Sequence, residues 1–327
     1  MGSMRRVLMF MLTTALAACA GPAASPVGPR ALVGRILDDH GQLRSQGWRY
    51  LRGAISPDGQ SVAFLGGDPQ GRSRVGLARE GTPVAITPTD LDMTDFAWMP
   101  DSRSLLVDYT VRGEGGRRLD ACDIIGLDGH VIRRIAIDKP LRTSGTASIA
   151  VSFNARMAIM AATPADAPDA PADLVQLNLD SGATSILLHT PPDDLATPVY
   201  LGDHELVVTG GLAVTATQGA NGWAGVVDLT TRKIRRLTGP DQVVGVAAAL
   251  PAGKEVVYEA APGSTPFRAR GIWRVPLTGG EPSLLVQAEA MSPSINPDGE
   301  WVLVTEVGTP VAGGALRLVP IHPPLRR

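Results

Sequence analysis

The apolar positions of this chain come in short runs that stop at Pro, Asp, Gly and Ser, and the stops themselves repeat. Residues 54–64 read AISPDGQSVAF, and 98–107 repeat the pattern as WMPDSRSLLV. Further copies are LPAGKEVVY at 250–258 and INPDGEWVLV at 295–304, with degenerate versions VSFNARMAI at 151–159 and YLGDHELVV at 200–208. Taking Pro57, Pro100, Asn154, Gly202, Pro251 and Pro297 as markers, the spacings are 43, 54, 48, 49 and 46 residues. Each copy predicts a hairpin. Pro pre-sets φ for a turn, Asp bonds nearby backbone, Gly takes the left-handed position, and the β-branched and aliphatic residues that follow form the return strand. Ser102, in place of that Gly, should keep the same turn with modest strain.

A second hairpin follows each copy. Residues 174–179 (LVQLNL) turn at 180–182 (DSG) into 184–188 (TSILL), and 272–277 (IWRVPL) turn at 278–280 (TGG) into 283–286 (SLLV). Residues 226–229 (VVDL) return likewise as 233–238 (KIRRLT). Four antiparallel strands with a repeat near 48 residues predict an all-β fold, a six-bladed β-propeller of four-stranded blades. The sixth unit stops after 316–321 (LRLVPI) without a fourth strand, while 31–37 (ALVGRIL) is an orphan strand before the first unit. The expectation is that this N-terminal strand closes the ring and covers an edge that would otherwise invite aggregation. The 37 Gly and 27 Pro, near one residue in five, are then turn residues.

Net charge is −2, which gives nucleic acid no electrostatic footprint. Of 30 basic residues only Lys139, Lys233 and Lys254 are lysines, a bias that fits a GC-rich genome better than arginine-specific recognition. At the N-terminus, Arg5 and Arg6 precede an apolar run (residues 7–15) too short to span a bilayer, followed by Leu16, Ala17, Ala18 and Cys19. This order resembles a bacterial lipobox, and favours that reading over an ordinary secretory signal cut elsewhere. The resemblance implies residues 1–18 as a lipoprotein signal peptide and Cys19 as the lipidated residue. It also implies that Ala20 sorts the protein to the periplasmic face of the outer membrane in a Gram-negative cell, or otherwise that it stays on the outer face of the plasma membrane. Residues 19–30 then read as a flexible Pro/Gly/Ala/Ser tether, and 31–327 as a single propeller domain. Cleavage would bring the net charge to −4 and leave Cys122 as the lone thiol, read as a buried filler in a strand.

The Ser-Pro-Asp-Gly hairpin, the TGGEP run at 278–282 and the period together resemble the TolB-type (PD40, WD40-like) six-bladed propeller, over about residues 50 to 320. That resemblance implies a binding fold: TolB is periplasmic and contacts a peptidoglycan-associated lipoprotein and other envelope proteins. The chain differs in beginning its first blade near residue 50, with no room for the N-terminal α/β domain of TolB, so a TolB role does not transfer. Residues 51–59 and 96–103 also resemble the propeller of prolyl-oligopeptidase-like peptidases. No Gly-x-Ser-x-Gly nucleophile elbow occurs in the chain.

Candidate chemistry is sparse. His40, His130, His189, His204 and His322 show no metal-ligand spacing, and no metal or other cofactor is expected. Asp90, Asp92 and Asp95 fall between units one and two, Asp193 and Asp194 between units three and four. They read as a carboxylate rim for a cation or basic partner segment, against the favoured reading of loop solvation through Asx-turns. Trp48 and Tyr50 precede the first unit and either reach the channel mouth or pack under a loop. Trp98, Trp273 and Trp301 read as packing between blades. Arg133 and Arg134, like Arg235 and Arg236, read as solvated outer strands. The expected function is a monomeric, non-enzymatic envelope lipoprotein that binds a protein or peptide, with membrane attachment through its lipid and no nucleic-acid partner. The alternative is a propeller that gates or regulates a separate peptidase, or a hydrolase with a dispersed channel site.

Overall fold

The computed structural model describes residues 36–38, 41–44, 46–112, 118–143, 147–167, 169–189, 193–212, 222–239, 242–250, 254–262, 271–287, 290–309 and 313–321. They contain 25 strands and no helix. After a short first strand, β1 (Gln42–Arg44), blade 1 runs from its inner to its outer strand as β2 (Arg49–Ile55), β3 (Val62–Gly67), β4 (Ser73–Arg79) and β5 (Thr82–Ala85). Blade 2 is β6 (Asp92–Trp98), β7 (Ser104–Arg112), β8 (Arg118–Gly126) and β9 (Val131–Ile135). In blade 3 the inner strand is split into β10 (Leu141–Thr143) and β11 (Ile149–Val151), both paired to β12 (Met157–Pro164), with β13 (Asp173–Asn178) and β14 (Thr184–Leu188) outside.

Blade 4 is β15 (Asp193–Tyr200), β16 (Glu205–Leu212), β17 (Gly222–Asp228) and β18 (Lys233–Arg236). Blade 5 is β19 (Gln242–Ala249), β20 (Glu255–Pro262), β21 (Gly271–Pro276) and β22 (Ser283–Gln287). Blade 6 takes three strands from the C-terminal end, β23 (Ala290–Ile295), β24 (Trp301–Thr309) and β25 (Gly313–Pro320), and β1 as its fourth. The six-bladed propeller expected from the repeat is thus the observed fold.

The repeat turn forms by the chemistry its residues dictate. The Ser56 N–H donates to Ser61 O (2.9 Å), Gly59 N–H donates to Ser56 O (2.8 Å), and the Asp58 carboxylate accepts the Gln60 N–H (3.0 Å). The same pair of backbone bonds recurs at 99–104, 152–157 and 296–301, with Asp101, Asn154 and Asp298 as the side-chain acceptors. Gly59 and Gly299 take φ of 71° and 74°, and Ser102 and Ala155 are held left-handed in the same place at 56° and 58°. In blade 4 the turn is one residue shorter, closing from Leu201 N–H to Glu205 O, which is why that copy looked degenerate.

Between blades, a second device repeats. At three junctions the outer part of one blade ends against the outer turn of the next. Arg79 donates to Leu127 O (2.8 Å), Arg133 pairs with Asp180 (2.9 Å), and Arg235 donates to Leu277 O. Glycine is required where the approach is closest: a Cβ on Gly129 would collide with Ile86 O, and one on Gly182 with Ala136 O. Of the outer-strand arginines read as solvated faces, Arg133 and Arg235 tie neighbouring blades, while Arg134 and Arg236 pair within their own blades with Asp123 and Asp193. The tryptophans pack as expected: Trp98 Nε1 donates to Ala54 O across blades 1 and 2 (3.1 Å), and Trp301 lies against the core shared by blades 6 and 1.

The ring closes through an N-terminal strand, but not through the residues expected to supply it. Gln42, Leu43 and Arg44 pair antiparallel with Arg317, Leu316 and Ala315, and Gly41 O accepts the Leu318 N–H. Residues 31–35 lie outside the described residues. Ile36 and Leu37 are buried against blades 1 and 6, with Ile36 O accepting the Gly81 N–H (3.1 Å). The physical reason is the outer-strand device just described. Directly after β1, Gln46 Nε2 donates to Gly81 O in the outer turn of blade 1 (3.2 Å), so the end of β1 makes for blade 6 a junction of the kind seen after blades 1, 2 and 4.

Candidate functional site

The residues singled out in the sequence divide by burial. Trp48 and Tyr50 are core residues, buried edge-on against Phe64 at centroid distances of 5.0 and 5.1 Å, and Tyr50 donates its hydroxyl to Arg44 O. Burial raises the Tyr50 phenol far above its ordinary pKa. They pack under the first blade and offer a partner no surface. Asp95, on blade 2, is wholly buried and bonded to blades 1 and 3. Asp90 and Asp92 are exposed at the entry to β6. Asp193 accepts from Trp223 Nε1 (3.1 Å) and Arg236 (2.7 Å), whose guanidinium lies 4.8 Å from the Trp223 ring centroid. Asp194 accepts the Ala172 N–H (2.7 Å). The two acidic groups stand at β6 and at β15, with all of blade 3 between them. Cys19, His40 and His322 lie outside the described residues. Cys122 is buried, as expected, with its thiol 3.5 Å from Asp108. The described residues form no group of three side chains suited to a metal ion.

Two clefts, both bordering blade 3, were not evident from the sequence. One is a groove of about 610 Å³ between blades 3 and 4. Its apolar floor includes Ile159 and Leu187, and its mouth is framed by Phe153 and Tyr200, whose rings meet edge-on at 6.1 Å. Phe153 stands at the tip of the repeat turn, where the clear copies carry Pro, and is 58% exposed. Tyr200 is half-buried, which pushes its phenol up to about 12. Asp203 and Arg232, of opposite charge, lie on the rim. The signal was present in the sequence: an aromatic in place of the turn proline in a degenerate copy.

The other cleft, of about 680 Å³, opens between the connection from blade 2 and the sheet of blade 3. The connection supplies Lys139 and Pro140, and the adjoining β10 supplies Leu141. Blade 3 supplies Ala162, Val175 and Ile186, and Asp166 comes from the loop after β12. The connection is fixed to β14 because Asp138 accepts both the Thr184 hydroxyl (2.6 Å) and the Thr184 N–H (2.9 Å). The hydroxyl bond is the main reason its carboxyl sits below the usual range, with some opposition from desolvation and a smaller contribution from the N–H. A carboxyl with a depressed folded pKa contributes stability above its unfolded value, near ~3.9, and loses it as pH falls through the folded value. Thr184→Val should therefore raise the Asp138 pKa in a carboxyl NMR titration, and any stability advantage of the parent should fade below about pH 4.

Asp173 forms part of the cleft wall, and its Oδ1 lies 2.6 Å from His189 Nδ1. The pairing follows from the ladder, since Leu174 opposes Leu188 and the next residues outward are Asp173 and His189. Spacing along the chain does not reveal this pair, because the partner of His189 is on the neighbouring strand.

No family model matches the chain, and no curated protein matches it. Solved structures do. A chain assigned as TolB from Agrobacterium tumefaciens superimposes with a TM-score of 0.57 at 14% identity, covering 83% of this chain and 90% of its own. An oligogalacturonate lyase in complex with manganese gives 0.54 at 12% identity, over 88% of this chain and 92% of that one. TolB from Acinetobacter baumannii gives 0.52 at 12%, over 87% of this chain, which spans 65% of that protein. At these identities the likeness is one of fold, shared by a lyase as well as by TolB. What the chain has in common with these structures is the overall propeller fold, which in this chain has six blades.

Proposed function

We propose that this protein is an envelope lipoprotein, anchored through a diacylated Cys19, whose propeller binds an extended segment of a partner protein without catalysing a reaction on it. The observation that carries the reading is the groove at Phe153. An aromatic ring more than half exposed at a turn tip gains free energy by being covered, and Tyr200 beside it offers a second face with a polar tip. Asp203 and Arg232 on the rim suit a peptide whose apolar side chain is flanked by charged or polar groups. Rigid blades hold these residues from two repeats in one place, so that little ordering is needed on binding.

A photo-crosslinking amino acid placed at position 153 in cells tests this. It should trap a discrete envelope protein, and Phe153→Ala in a competing copy should not compete for that partner. Recovery of no adduct, together with turnover of a peptide or glycan substrate by the purified chain, would instead favour an enzymatic role. Cys19→Ser should move the protein from the membrane to the soluble fraction. Retention in the membrane would count against the anchor.

A further inference from the structure

We infer that the cleft beside blade 3 is a binding site for an apolar group that carries one protonated amine. Its size falls in the range of small-molecule sites, roughly 300–1,000 Å³, and its walls are mainly apolar, built from Pro140, Leu141, Ala162, Val175 and Ile186. Such a site draws its specificity from a few fixed polar groups, and here the fixed group is Asp173. Its side chain is 8% exposed, so its carboxylate is set into the wall and not on the rim. His189 takes Oδ1 from the solvent side. Asp173 lines the cleft, and its Oδ2 is hydrogen-bonded to no other described residue.

A carboxylate in an apolar wall is costly unless a cation or donors complete it, and an ammonium group supplies both charge and hydrogen bonds. Asp166 adds a second negative charge at the mouth and Lys139 a positive one on the connection. A ligand with a single amine is therefore drawn amine-first toward Asp173, leaving its apolar part against Leu141, Val175 and Ile186. The site is separate from the groove at Phe153. The same chemistry is offered by a free alkylamine and by the N-terminus of a peptide with an apolar first residue.

Calorimetry on the full chain carrying Cys19→Ser, with hexylamine and hexanol as probes of equal tail length, tests the inference. Hexylamine should bind about tenfold more tightly than hexanol, the scale of one charge-assisted bond. Asp173→Asn should erase that difference while hexanol affinity stays within about twofold. Ser185→Lys, at an exposed lining position, should weaken hexylamine selectively by placing a cation at the mouth. Leu-Gly-Gly compared with its N-acetyl form separates the sources. Preference for the free tripeptide over hexylamine identifies a peptide N-terminus, and the reverse identifies a free amine. Equal binding of hexylamine and hexanol, no binding of any amine, or amine binding insensitive to both Asp173→Asn and Ser185→Lys would overturn the assignment.

Discussion

Asp95→Ala is expected to lower the unfolding free energy by about 3–5 kcal/mol, as the removal of one partner from a buried ion pair does. The carboxylate, carried by blade 2, is wholly buried and its two oxygens are shared between blades 1 and 3. Oδ1 accepts from the Arg52 guanidinium of blade 1 (2.5 Å) and the Ala147 N–H that leads into β11 (3.1 Å). Oδ2 accepts the N–H groups of Ser148 (2.7 Å) and Ile149 (3.1 Å) and the Ser148 hydroxyl (3.3 Å). Alanine would leave those backbone donors unsatisfied in the interior and Arg52 with only the Phe96 carbonyl (2.8 Å) and the Phe96 ring face (4.9 Å). Arg52→Ala should cost less, because Asp95 keeps four donors, and the two effects should be strongly non-additive. Urea unfolding of the parent, both single variants and the double variant measures this. A midpoint for Asp95→Ala within error of the parent would refute the bridging role. The variant should still crosslink through position 153 under conditions where it is folded, which separates a structural carboxylate from a binding one.

Asp95 also shows where the sequence could and could not be read. Arg52 and Asp95 occupy equivalent places, each five residues before the turn proline of its own repeat, Pro57 and Pro100. The strand carries a bulge next to each of them, between Tyr50 and Arg52 and between Met93 and Asp95. Opposite charges at one repeat position are a legible sign of an inter-blade pair. Read along the chain alone, however, Asp95 sits beside Asp90 and Asp92 and looks like part of an acidic loop. The turns were legible because their chemistry is local: Ser56, Asp58 and Gly59 satisfy one another within six residues. The clefts were not, because each is assembled across blades or across a ladder, as Asp173 with His189 and Phe153 with Tyr200 show. The position of the closing strand was missed for a related reason. Gln42, Leu43 and Arg44 present one apolar residue between two polar ones, a pattern too short to outrank the longer apolar run at 31–37.

That short strand supports the second large effect. Leu43 is fully buried, in a core shared with Phe64 of blade 1 and with Leu303 and Leu316 of blade 6, so Leu43→Ala should cost about 2–5 kcal/mol. Arg44→Ala, exposed on the same strand, should fall within about 0.5 kcal/mol of the parent. Thermal or urea unfolding distinguishes the two, and a Leu43→Ala variant as stable as Arg44→Ala would show that β1 contributes little to closure. Deletion of residues 1–45 should do more than destabilise. It removes the partner of β25 at Ala315, Leu316 and Arg317, and with it the junction between Gln46 and the outer turn of blade 1 is left without its anchoring strand. The exposed ladder then becomes a template for a second copy, so the truncated chain should self-associate with increasing concentration on size exclusion, where the full chain carrying Cys19→Ser does not. The pairing of Gln42 with Arg317 spans 275 residues, yet loop-closure entropy grows only as the logarithm of that span, by about 0.6 kcal/mol per doubling. Three paired residues and one buried leucine can therefore hold the two ends of the ring together, because most of the cost of bringing them close is already met by the five blades in between.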